Sequence, residues 1–143
     1  MTHSEDLRNL VVAAHALTRI AAQETRNETP AAQWRTLTIL RENGPLRLGE
    51  LASLSRVTQP GMTRLVGAMT EAGLVRKSTD AEDSRVTRVE VTDFGVSALE
   101  AWMSQLTDAL APHFSDLDDQ DWEALSRTAG ILARKTGAAE LAR

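Results

Sequence analysis

The chain has 143 residues, 42% hydrophobic and 25% charged, with a net charge of −4 and no cysteine. Such a length and balance fit one domain, or a small domain with helical extensions, and exclude disulfides and thiolate metal sites. No apolar run reaches the ~18 residues of a membrane span, and the acidic start Met1–Leu7 lacks the form of a secretion signal, so a cytoplasmic protein is expected.

Ser4 is the expected cap of a first helix, with Glu5 and Asp6 where negative charge suits the helix dipole. Leu7, Leu10, Val11, Ala14, Leu17 and Ala21 recur at helical spacing, and polar Arg26–Glu28 ends the run. His15 lies beside this stripe as a boundary residue. Thr29-Pro30 signals a second helix, which runs through Trp34, Leu37 and Leu40 to Asn43-Gly44-Pro45. A short third helix is expected over Leu48–Leu54, with Leu48, Leu51, Ala52 and Leu54 facing inward.

After the turn Ser55–Val57, Thr58 caps a fourth helix that tolerates Pro60 in its first turn. Met62, Leu65, Val66 and Met69 follow the apolar stripe of a core-facing helix. Gln59, Pro60, Thr63, Arg64 and Gly67 fall on the opposite face, and Gly73 ends the helix. Two short helices joined this way form a helix-turn-helix. Leu74–Ser78 and Val86–Val91 then read as strands around a charged tip, Thr79–Arg85. A hairpin directly after such a helix makes a winged helix.

Thr92-Asp93 starts a long fifth helix in which Val96, Leu99, Met103, Leu106 and Leu110 space out as a seam for another helix. Leu99 and Leu106 are its expected interface positions. Pro112 stops this helix; Leu117-Asp118 starts a sixth, with Asp121 in its first turn, Trp122, Leu125, Ala129 and Leu132 as its stripe and Gly137 as its stop. The fold class is therefore mainly α with a small β-hairpin wing.

Charge is unevenly spread. Residues 1–46 hold five basic and five acidic side chains, residues 47–88 seven and five, and residues 89–143 four and ten. The one positive segment coincides with the helix-turn-helix and wing. Arginine on the outer face of the fourth helix can pair with guanine, and glutamine with adenine, in a major groove. An arginine at a hairpin tip suits a narrow minor groove, and Asp83, two residues before Arg85, can hold its guanidinium. The plainer readings are a solvated helix face and a surface ion pair of little energetic weight.

The run Val57–Val66, containing Met62-Thr63-Arg64, resembles the recognition helix of the MarR family (multiple antibiotic resistance regulators). Asp80–Arg85, followed by Val89-Glu90-Val91-Thr92 and Gly95, is similar to that family's wing. The order of helices also matches. The resemblance implies a homodimer interlocked through its first, fifth and sixth helices, with two winged helices on a pseudo-palindromic operator in double-stranded DNA, usually to repress transcription. It also implies release of DNA when a small anionic or lipophilic aromatic ligand binds between the two regions. Residues 1–30 and 93–143 would be the dimerisation helices and 31–92 the DNA-binding region.

By position in this pattern, Gln59, Thr63 and Arg64 read bases, Arg85 enters the minor groove and Asp83 orients it. Pro60 stands where the family often has a small polar residue that contacts DNA, and Ser84 where a second basic residue is common. Arg47, Lys77 and Arg88 flank the motif as expected phosphate contacts.

Asp116, Asp118, Asp119 and Asp121 lack the glycine and closing glutamate of a calcium loop, since Arg127 stands at the twelfth position; helix capping accounts for them. His3, His15 and His113 share no metal-ligand spacing. No nucleophile elbow, phosphate loop or paired-carboxylate pattern appears. Neither an enzyme, a metal nor a cofactor is expected. The alternative is a winged-helix module that binds protein and not DNA, which the acidic C-terminal third would fit.

Overall fold

A computed structural model describes residues 1–25 and 29–137. The polar stop expected at Arg26–Glu28 lies outside them. The elements are α1 (His3–Thr25), α2 (Ala31–Asn43), β1 (Leu46–Arg47), α3 (Leu48–Ser55), α4 (Gln59–Glu71), β2 (Val75–Thr79), β3 (Thr87–Val91), α5 (Asp93–Leu110), a 3₁₀ turn (Ala111–Phe114) and α6 (Asp119–Thr136).

Local chemistry explains most boundaries. Thr58, Thr92 and Asp118 each accept a backbone N–H three residues on, from Gly61, Gly95 and Asp121. Asp121 also accepts from the Asp118 N–H, which completes a capping box. At the N-terminus the cap is Thr2 and not Ser4: the Thr2 hydroxyl accepts the Glu5 N–H, and Glu5 accepts the Thr2 N–H in return. Of the two, Thr2 has a glutamate three positions on, whereas Ser4 has Leu7. The second helix starts one residue later than expected, with Pro30 as its extended flanking residue.

The central core joins Trp34, Leu37 and Leu40 of α2, Leu51 and Ala52 of α3, and Met62, Val66 and Met69 of α4. Leu74, Val75 and Val89 close it from the sheet, and Leu99 enters from α5. Two expectations change here. Leu54 is 52% exposed, because α3 buries the face shared by Leu51, Ala52 and Ser55. Leu99 is fully buried within its own chain, so it is a core residue and not a free interface position. The α5 seam packs against α1 and α2.

The turn between α3 and α4 depends on Arg56, at φ 58°, a left-handed conformation uncommon outside glycine. The sheet has three antiparallel strands in the order β1-β3-β2. The two-residue β1 has no periodicity to reveal it; it pairs Leu46 with Val89 and Arg47 with Arg88. The hairpin strands begin one residue later than the sequence suggests. Among the described residues no helix is long and apolar enough to cross a membrane.

Outside this body, two faces stay open. α1 exposes Leu7, Val11 and Val12, and α6 exposes Trp122, Leu125 and Ile131 and buries none of its residues.

Candidate nucleic-acid interface

Gln59, Pro60, Thr63 and Arg64 all lie exposed on one side of α4, while Met62, Val66 and Met69 hold the other side in the core. Gly67 is half-buried. The Thr63 hydroxyl donates to the Gln59 carbonyl at 3.0 Å. A Cβ added at Gly49 would lie 4.0 Å from Gln59 Oε1, so this side chain sits over the start of α3. Arg64 forms no ion pair among the described residues.

At the wing, Asp83 and Arg85 meet as expected. Asp83 Oδ1 accepts from the Arg85 backbone N–H at 3.0 Å and from Nε at 3.1 Å, and Oδ2 accepts from Nη2 at 3.2 Å. Hydrogen bonds from the Arg85 side chain and backbone hold the Asp83 carboxyl below its ordinary range, against burial and the like charge of Asp80. The Arg85 side chain remains 88% exposed. A fork of this kind restrains a guanidinium while leaving its far edge open. Ser84 is exposed beside it.

Arg47 and Arg88, expected as phosphate contacts, both converge on Asp80. Arg47 Nη2 donates to Asp80 Oδ2 and Arg88 Nη1 to Asp80 Oδ1, both at 3.2 Å. Arg88 Nη2 also reaches the Pro45 carbonyl at 3.3 Å, and Arg47 lies 3.5 Å from Glu82. Asp80 further accepts the backbone N–H groups of Glu82 and Asp83. Burial pushes its carboxyl up, but the Arg88 hydrogen bond, the Glu82 N–H, the Arg47 charge and the Asp83 N–H together outweigh it and hold the group below its usual value. Sequence reading passed over Asp80 as a partner; the available signal was an aspartate at a strand end with free N–H groups two and three residues on. Lys77 is exposed on β2, opposite Val89 in register, with no ion pair among the described residues.

A cavity of about 450 Å³ opens between α1, α2 and α5. Trp34, Trp102, Ile39 and Leu106 line it, with Arg19 and Arg35 at its side. The Trp34 Nε1–H is buried without a hydrogen-bond partner among the described residues. No group of His, Asp or Glu that could hold a metal occurs among the described residues.

A polar-faced second helix, a left-handed turn before it and a charged hairpin after it define a winged helix-turn-helix, here extended by helices at both ends. Residues 30–87, which span most of the winged-helix region, match the model of the MarR family. A curated relative, the HTH-type transcriptional repressor IacR of Pseudomonas putida, is 26% identical over 137 residues, 90% of this chain and 82% of that protein. A MarR family protein from Bacillus stearothermophilus superposes with a TM-score of 0.70 at 23% identity, covering 92% and 93% of the two chains. A MepR mutant from S. aureus reaches 0.74 at 20% identity, covering 96% and 98%. At such identities the two structures speak for the fold alone. The names of the family and relatives are those of regulators and not of enzymes.

Proposed function

We propose that this protein is a cytoplasmic, sequence-specific, double-stranded-DNA-binding repressor that acts as a homodimer on a pseudo-palindromic operator. The observation that carries this reading is the presence of two outward guanidinium groups: Arg64, on the outer face of α4 with no ion pair among the described residues, and Arg85, 88% exposed and held by Asp83. Gln59, Thr63 and Arg64 would read base edges, Pro60 would pack at the groove, and Arg85 would enter the adjacent minor groove. Lys77 and the outer edges of Arg47 and Arg88 would meet phosphates.

The open apolar faces of α1 and α6 support the dimer, since an uncovered stripe of this kind calls for a partner. A two-fold dimer would set its recognition helices about one helical turn, roughly 34 Å, apart. Repression is supported by the repressor to which the chain is similar. The Trp-lined cavity with its two arginines suits a small anionic or lipophilic aromatic ligand, which would release DNA only by its differential affinity for a form with the wrong helix spacing.

Selection of bound sequences from random duplex DNA at two salt concentrations tests the reading. A palindromic winner and a steep salt dependence are expected. Absence of a steep salt dependence would instead favour a protein-binding module, for which the acidic C-terminal third speaks.

A further inference from the structure

We propose that Asp80 is the positioning residue of the reading surface: one buried carboxylate locks the wing to the front of the helix-turn-helix by gripping Arg47 and Arg88 together, and so sets where Arg85 emerges. The inference rests on the DNA-binding reading above.

The hairpin packs on the helices mainly at its root. Val75 and Val89 anchor its root in the core, but Arg76, Lys77, Ser78 and Thr79 are all exposed. β1 ties β3 to the rest of the body by only two residue pairs. Beyond Val89 the one fully inward side chain is Asp80, 2% exposed. A packed apolar layer cannot set the angle of the distal wing where none exists. That task falls to the polar contact.

Asp80 is built for it. Arg47 sits at the junction of β1 and α3, Arg88 lies on β3, and the two are register partners. Asp80 closes β2 against both, so a single carboxylate joins all three strands. The hold extends to the tip. Asp80 Oδ2 accepts the Asp83 N–H at 3.3 Å, and Asp83 in turn grips Arg85. Arg85 is thus referenced to the start of α3 through a continuous chain of hydrogen bonds. Without the carboxylate, two neighbouring guanidinium groups would repel each other and the tip would lose its reference point.

A purely electrostatic role makes the opposite forecast. Losing Asp80 would add a positive charge, and binding would tighten on every sequence with a steeper salt slope. The two accounts separate in Asp80→Asn and Asp80→Glu. The second keeps the charge but displaces it by a methylene, so a charge role predicts wild-type behaviour and a positioning role does not.

Two measurements on the full-length protein decide the matter. Without DNA, amide exchange in residues 79–91 should quicken about tenfold in both variants, the scale of one lost charge-assisted hydrogen bond, while α2 and α5 keep their protection. With selected duplex, Arg85→Ala should weaken wild-type binding about tenfold but much less in the Asp80→Asn background, because an unplaced wing has little left to lose. Equal Arg85→Ala losses in both backgrounds, or unchanged exchange in the wing, would overturn the proposal. Should Asp80→Asn fail to fold, Arg47→Gln and Arg88→Gln each break one arm of the grip and must loosen the same segment. If the wild-type protein selects no duplex sequence, the DNA-binding reading fails, and the exchange measurement still tests the clamp.

Discussion

Trp34 of α2 and Trp102 of α5 stack with their ring centroids 4.9 Å apart and their planes 11° from parallel. This contact joins the core of the winged helix to the long helix that leads to the C-terminal extension, and it forms one wall of the cavity. Trp34→Ala should cost about 3–5 kcal/mol of stability, the range for deleting a buried large aromatic. Urea unfolding checks it; a loss below about 1 kcal/mol would mean that the stack is not a structural joint.

Leu99 and the open apolar faces should separate in experiment. Leu99→Ala should cost about 2–5 kcal/mol of stability, because the side chain is fully enclosed within one chain. Val11→Asp combined with Leu125→Asp alters only exposed positions, so the winged-helix core should persist while the particle falls to a single chain. Light scattering of a surviving dimer would place the interface elsewhere.

Under the proposed DNA-binding function, the exposed face of α4 and the wing should divide into specific and general contacts. Arg64→Ala should weaken binding to the preferred duplex by about 1–3 kcal/mol and relax preference at one base position. Lys77→Ala should weaken binding on all sequences alike and lower the salt slope by about one. Binding curves on matched and scrambled duplexes, each at several salt concentrations, distinguish the two. An equal Arg64→Ala loss on both duplexes would make that residue a phosphate contact.

Acid should weaken the hold on the wing. The Asp80 and Asp83 carboxyls both lie lower in the folded protein than their ordinary value of 3.8. The unfolded chain therefore takes up protons first as pH falls. The stability these groups contribute is complete above about pH 4 and is lost as pH drops through their lowered folded values. Thermal melting between pH 7 and pH 3 should show this decline, and Asp80→Asn with Asp83→Asn should flatten it. An unchanged acid profile in the double variant would reject both groups as its source.

Gly95 should tolerate no side chain. A Cβ there would stand 2.1 Å from the Leu74 carbonyl oxygen and 2.8 Å from Val91 Cγ2. Gly95→Ala must push the start of α5 off the strand it covers, at about 1–3 kcal/mol or more. A melting temperature equal to that of the parent would show that the contact yields freely.

The helix-turn-helix, the wing and most helix starts were legible from residues alone. Thr58, Thr92 and Asp118 cap helices through bonds that reach three residues, and the stripe of Met62, Val66 and Met69 repeats within three turns. Asp83 and Arg85 likewise meet across two residues. Leu99 was harder, because a seam at helical spacing looks the same whether its partner belongs to the same chain or to another. β1 was too short to leave a pattern.

What the amino-acid order determined by itself was most of the features whose partners lie within a turn or two: the caps at Thr58, Thr92 and Asp118, the α4 stripe and its polar face, and the charged tip. Only the tertiary structure decided that Asp80 would draw Arg47 and Arg88 together, that Trp34 would stack on Trp102, and that Leu99 would stay inside its own chain. Asp80 and Arg47 are 33 positions apart. Contacts over that separation depend on the path of the backbone between them, and neither residue's neighbours encode that path.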